Sequence, residues 1–374
     1  MLKLLKNLLL ILLLITIGFA VYIYKKRPTQ IIPYPYIVQN IKYPQSKKAE
    51  TSHVLIIGDR MGLALNRFIP ELNKNISKEL QEPLNIFNWS KNNEGIHRTI
   101  NKIKSLKSLP PIIIYQGSSE EFYEKKINIK KRKNILKNFQ LFDNNKISTL
   151  LMTFPFISKF IYKNTDIQYL SGNATEDLTS YSPFFKQIRM ELTYKIYEYE
   201  IEELINYVRS KDSNLIIVTT PINLEAPPKT VCKNSTTKSI EDLQETLTEQ
   251  IKEKRYKENY SQAKDLAHQS IGNAYSHYLH GIIALKLLKF NESREALEKA
   301  EAFDCKQWRG SVIFNNIMKQ KAKRNKINLI DFNNLVNLNL GRDTIFQNQF
   351  YPQHIYYQQL MKLLESKIKK TYKL

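Results

Sequence analysis

A chain of 374 residues that is 42% hydrophobic has the apolar mass for one large domain with an insertion, or for two modest domains, and global disorder is excluded. Its 57 Lys and Arg against 35 Asp and Glu give a net charge of +22, which would suit a nucleic acid or an anionic surface. The basic residues are spread along the whole chain, with only short clusters such as KKINIKKRK, and no zinc-finger spacing, RNP motif or basic zipper is present, so no nucleic-acid partner is expected.

At the N-terminus an apolar run of about 17 residues, Leu8 to Tyr24, carries no charge and approaches the roughly 20 residues of a spanning helix. Lys3 and Lys6 precede it, and Lys25, Lys26 and Arg27 follow, so the flanking charges do not fix its orientation. A cleaved signal peptide is the rival, but an A-x-A site and a lipobox cysteine are both missing. Residues 1–27 are therefore read as an uncleaved membrane anchor. Residues 28–51, with the X-Pro steps of IIPYPYIVQ and YPQSKK, read as an extended linker.

Five short apolar, β-branched runs follow: HVLIIG, LNIFNW, PIIIYQG, NLIIVTTP and, late in the chain, INLIDF. Their alternation with helix-period stretches predicts an α/β fold with a parallel sheet covered on both faces. Ligands in such sheets bind outside the carboxyl ends of the strands. Between the third and fourth runs, the segment 120–212 contains STLLMTFPFISKFIY and a helix-like FFKQIRMELTYKIYEYEIEELINYV. Pro155 and Lys159 break the first of these too early for a membrane span, so a covering lid is expected.

Beyond the loop PINLEAPPKTVCKNSTT the pattern turns wholly helical from about Ile240 to Ala302. There, YLHGIIALKLLKFNESREALEKAEAFD resembles a tetratricopeptide repeat. Gly281, Ser293 and Ala300 fall on its small positions, and Leu297 on the large apolar one between them. RYKENYSQAKDLAHQS resembles the second helix of a preceding half repeat. One and a half repeats form no free-standing solenoid, so these helices are read as an insertion packed on the main domain. They are either a plain helical hairpin or a surface for a protein partner. The only cysteines, Cys232 and Cys305, provide no metal framework, and no metal or cofactor is expected. One bridge between them in an extracytoplasmic domain and two unrelated free thiols are both open.

The order of these pieces resembles the SGNH/GDSL hydrolases, in particular a bacterial subgroup with tetratricopeptide helices inserted before the last catalytic block. The resemblance runs from Thr51 to the C-terminus, and it rests on the order of the pieces rather than on any one of them. It implies a flavodoxin-like, three-layer parallel sheet. It divides the body into 52–236, the helical insert 237–305 and the closing part 306–374.

The family's chemistry needs a serine nucleophile, a histidine base, an aspartate that orients the base, and oxyanion donors from backbone and asparagine. Carried over by position, Gly58 and Asp59 fit the opening Gly-Asp, and the nucleophile falls on Arg60. The glycine block falls at NWSKNNEG, on Asn93 or, shifted, on Gly95. In YQGSSEEF, Gly117 and Glu120 are kept while Ser119 takes the asparagine's place. In FQNQFYPQH, Asn348 replaces the aspartate, Tyr351 replaces the histidine, and Pro352 keeps the register.

An arginine cannot attack an acyl carbon, an asparagine cannot stabilise an imidazolium, and a tyrosine is a poor base at neutral pH. A catalytically degenerate fold is therefore expected. It would be anchored by a single pass in the inner membrane, with the body in the periplasm, and would serve as a binding or scaffold subunit of an envelope complex.

The expected ligand cleft comprises Asp59, Arg60, Gly117, Ser118, Ser119, Glu120 and His354. Arg60 either fills that cleft while paired with Glu120 or Asp59, or it offers a site for an anionic or glycan ligand. The rival is an active esterase or O-acyltransferase of envelope polysaccharide with relocated catalytic residues: Ser118 and Ser119 are alternative nucleophiles with no base assigned to them, and a register shift would make His354 the base.

Overall fold

The first apolar run forms β1, Val54–Gly58, and all five of its residues are buried. The others form β2, Ile86–Asn88; β3, Ile112–Gln116; β4, Asn214–Val218; and β5, Asn328–Ile330. They pair in parallel in the order β2-β1-β3-β4-β5, with Val54 opposite both Ile86 and Ile112, Ile112 opposite Asn214, and Ile216 opposite Asn328. This is the flavodoxin-like order, whose strand sequence reverses between β1 and β3 and opens a crevice there.

The structure is a computed structural model that describes residues 2–26, 37–39, 43–80, 84–126, 168–170, 183–232 and 235–372, with residue 137 alone. STLLMTFPFISKFIY and most of the linker lie outside the described residues. Chain contacts divide the molecule into two units, Met1–Ile37 with Ile127–Tyr169, and Val38–Lys126 with Leu170–Leu374. The five-stranded sheet belongs to the second.

In the first unit, α1 spans Leu2–Lys26, and Leu8 to Ile15, Ile17 and Phe19 are exposed. Among the described residues no helix is long and apolar enough to cross a membrane. The spanning helix expected at Leu8 to Tyr24 is thus not shown. The side chains of α1 are described only over residues 6–19, short of the roughly 20 a span needs.

Strand side chains alternate between two apolar layers. Val54, Ile56, Ile112, Ile114, Ile216, Val218 and Ile330 face one cluster, and Leu55, Ile57, Ile113, Tyr115, Leu215 and Ile217 face the other. The first layer is covered by α3, Ile69–Leu80, through Leu72 and Ile76, and by the C-terminal helix through Leu360, Leu364 and Ile368. The second is covered by α4, Ile96–Lys104, α5, Pro183–Ser210, and α10, Val312–Asn325. Each buries one stripe at helical spacing, such as Ile96, Ile100 and Ile103, or Tyr197, Ile201, Leu204 and Val208.

The helical stretch contains α6, Lys238–Lys252; α7, Tyr256–Gln269; α8, Ala274–Lys286; and α9, Phe290–Ala302. The expected half repeat is therefore preceded by its own first helix. Gly281 on α8 lets α9 approach, because a Cβ there would lie 2.6 Å from Leu297 Cδ2, and Ser293 Oγ donates to the Gly281 carbonyl at 2.8 Å. These are the small positions that the sequence pattern marks. Leu285 and Leu297 also join the main apolar cluster, so the helices are packed on the sheet domain. We expect Gly281→Val to overpack this contact and lower unfolding free energy by about 1–3 kcal/mol in urea titration. An unchanged midpoint would mean that the two helices are not closely packed.

The alternative left open for the cysteines is resolved in favour of a bridge. Cys232 and Cys305 are joined, with Cα atoms 5.5 Å apart, across the base of the helical stretch. Asp304 ties the same two crossings, accepting from the Lys229 and Thr230 amides at 3.0 and 3.2 Å and from Trp308 Nε1 at 3.2 Å.

Candidate functional site

β1 ends at Gly58 with φ +139°, where a Cβ would strike the Gln116 carbonyl, so the close approach of the β1 and β3 ends here requires glycine. Asp59 follows, fully buried, and caps α2, Arg60–Leu63, by accepting from the Met61 amide at 2.8 Å. Its other oxygen accepts from the Ser119 amide at 2.6 Å and from Ser119 Oγ at 2.7 Å. One carboxylate thus staples the ends of the two central strands. Burial raises its pKa, outweighing the opposing pull of the bonds from Ser119 and Met61.

Arg60 points into the crevice. Its Nε donates to Ser119 Oγ at 3.3 Å and lies 3.5 Å from Glu120 Oε1, while the guanidinium carbon sits 4.1 Å above the Phe350 ring. The pairing expected with Glu120 is present, whereas Asp59 spends its bonds on Ser119 and Met61. Arg60 Nη2 is buried with no hydrogen-bond partner among the described residues.

Burial and then the neighbouring Asp59 raise the Glu120 carboxyl to about 7, against the opposing pull of Arg60 and of the Asn93 and Glu94 amides. As pH falls through that value Glu120 becomes neutral and the charge of Arg60 is no longer balanced.

In front of Arg60 lies a cavity of about 440 Å³. Arg60, Arg67, His354, Asn92, Gln347 and Asn348 line it, and Phe68, Tyr351 and Tyr357 add aromatic surface; no carboxylate is among its described lining residues. Of the expected cleft residues, Arg60 and His354 reach this cavity, as do Asn348 and Tyr351. Asp59, Gly117, Ser118, Ser119 and Glu120 do not line it. They form the hydrogen-bonded floor behind Arg60, with Ser118 Oγ donating to Thr220 Oγ1 at 3.2 Å and Thr220 in turn donating to the Gly117 carbonyl.

The other carried-over positions have structural duties. The Asn93 amide donates to Glu120, so it is not aimed at an oxyanion, and it is Asn92 that lines the cavity. Gly95 caps α4 and leaves room for Glu124, whose Oε2 would lie 2.3 Å from a Cβ there. Asn348 Oδ1 accepts from the Phe350 and Tyr351 amides, both at 2.9 Å, and folds the loop that closes through the Phe346–Pro352 bridge. That turn sets Phe350 over Arg60. Burial pushes the Tyr351 phenol up, further from use as a base. His354 opens α11, His354–Tyr372, and its ring lies 4.8 Å from that of Phe68, away from the partners of Ser118 and Ser119.

Sequence reasoning missed Arg67, seven residues after Arg60 and therefore on the same side of a helical run. Spacing alone could have found it. Nothing local announces Phe350, because its role depends on the turn made by Asn348.

A second polar centre lies behind the floor. Lys126 Nζ reaches Glu121 Oε2 at 2.5 Å and Glu200 Oε2 at 2.6 Å, and His97 Nδ1 lies 2.9 Å from Glu200 Oε1. Glu124 accepts from the Arg98 amide at 3.0 Å and from its Nε at 2.7 Å. All of these carboxylates are buried. His97 thus packs in a charge cluster. Burial lifts Glu121 to about 8 despite Lys126, while Lys126 and His97 overcome burial to hold Glu200 below its ordinary value.

Compared with known proteins, the chain matches no family model, and none of the curated proteins matches it.

Proposed function

We propose that this chain is an SGNH-hydrolase-like domain that binds rather than hydrolyses, held at a membrane by α1 with its body in an extracytoplasmic space. It serves as a binding or scaffold subunit of an envelope complex, and the helical stretch 237–305 is the surface for a protein partner. One observation carries the loss of hydrolysis. At the strand-end position where a nucleophile would stand, Arg60 is wedged between Ser119, Glu120 and the Phe350 ring. An always-protonated guanidinium there can neither attack nor accept a proton. The Cys232–Cys305 bridge supports an oxidising compartment, and the exposed apolar side chains of α1 support a membrane anchor.

A second reading, an esterase or O-acyltransferase, is favoured by the 2.7 Å bond from Ser119 Oγ to the Asp59 carboxylate. Treatment of the purified full chain with a fluorophosphonate probe and with p-nitrophenyl acetate separates the two. We expect neither labelling nor turnover. Labelling that disappears in Ser119→Ala would establish the esterase reading instead.

A further inference from the structure

We propose that the cavity in front of Arg60 binds a small organic anion, a ring-bearing carboxylate or phosphate ester of about monosaccharide size. This deepens, and rests on, the reading of the domain as a binding module.

The lining decides the sign of the ligand. Around about 440 Å³ stand two arginines, a histidine and three side-chain amides, with no Asp or Glu among the described lining residues. The carboxylates nearby, Asp59 and Glu120, lie behind Arg60 and spend their oxygens on the floor: Asp59 on Met61 and Ser119, Glu120 on the Asn93 amide and Arg60. A cation in the cavity would meet only positive or neutral groups.

Arg60 is also held in place before any ligand arrives. Its Nε edge is fixed by Ser119 and Glu120 and its face by Phe350, which leaves Nη2 buried and, among the described residues, without a hydrogen-bond partner. A buried donor left unpaired is costly, and an anion's oxygen is the acceptor that would relieve it. Arg67, exposed at the rim, makes no ion pair among the described residues and supplies a second guanidinium.

The remaining lining describes the rest of the ligand. Phe68, Tyr351 and Tyr357 offer ring faces, while Asn92 and Gln347 offer donors and acceptors for hydroxyl groups. A volume of about 440 Å³ lies in the range of small-molecule sites. A bare inorganic ion would leave the aromatic walls without contact, and an acyl chain would leave the arginines and amides without partners.

The test is calorimetric titration of the full chain at low ionic strength with D-glucuronate, D-glucose 6-phosphate and D-glucose. One or both anions should bind, and whichever binds more tightly identifies the head group as carboxylate or phosphate; D-glucose should bind at least roughly tenfold more weakly. Arg67→Ala, an exposed position that leaves the fold intact, should weaken the anion by roughly tenfold or more, with Arg67→Lys in between. Arg60→Gln should do the same, and its thermal unfolding reports whether it has folded. The proposal is overturned if neither anion binds at about 10 mM, if D-glucose binds as well as the anions, or if Arg67→Ala binds unchanged. Ester turnover on the same preparation is read separately. Turnover would remove the non-hydrolysing assignment, whereas absent binding without turnover would remove only the anion site.

Discussion

Lys126→Met should lower the unfolding free energy by about 3–5 kcal/mol at pH 7, the usual cost of taking one partner from a buried ion cluster. Lys126 is 3% exposed and touches Glu121 and Glu200 within 2.6 Å, with Glu124 at 3.9 Å. Methionine replaces its length but not its charge, which leaves three buried carboxylates to Arg98 and His97. Urea unfolding at several pH values checks this.

The sign of the pH dependence differs between the acids. Glu121 is raised from 4.5 to about 8, so its contribution is fullest below 4.5 and drains as pH climbs through 8. Glu200 is depressed, so its contribution is present above its ordinary 4.5 and is lost on acidification through its lower native value. Without Lys126 both would gain protons more readily, and the penalty should be larger at pH 8 than at pH 5. A loss under about 0.5 kcal/mol at either pH would show that water reaches the cluster and screens it.

The double change Cys232→Ser and Cys305→Ser should cost about 4 kcal/mol, the chain-entropy value for a bridge whose ends are 73 residues apart. The Asp304 bonds to Lys229, Thr230 and Trp308 keep the crossings together in the native state, so the loss falls mainly on the unfolded chain gaining freedom. Calorimetry with and without reductant should show wild type under reduction converging on the variant. If reductant leaves the wild-type midpoint unmoved, the two sulfurs are not bonded in the purified protein.

The centre of the sheet was legible because β1 and β3 are buried on both faces. VLIIG and IIIYQ are continuous apolar runs with no rival interpretation as a surface element. Gly281, Ser293 and Leu297 were legible for a related reason, since a close helix contact constrains residue size at fixed spacing. The charge cluster was not legible. Glu121 and Glu200 stand 79 positions apart (200 − 121), and the acids of α5 look like an ordinary solvated face until α4 covers them. In the site, order alone brought Arg60, Asn348 and Tyr351 to one cavity. That Ser119 bonds to Asp59, or that Asn348 builds a turn, could not be read from it, because each depends on backbone geometry that no residue type encodes.

The way α8 is seated restricts how this chain can be cut or recombined. Leu285 leaves its own helical stack to enter the core under the sheet, and it lies so close to Gly341 that a Cβ there would come within 2.6 Å of it. Gly341 in turn has φ +75°, a conformation that other residues adopt only at a cost. Excising residues 238–302, or exchanging them for repeats from another protein, would open a hole in the sheet's own core. A binding partner of these helices has to be mapped by single changes at their exposed positions, such as Ile271 and Leu288. The segment reads as an insertion in the sequence, but it is not a cassette.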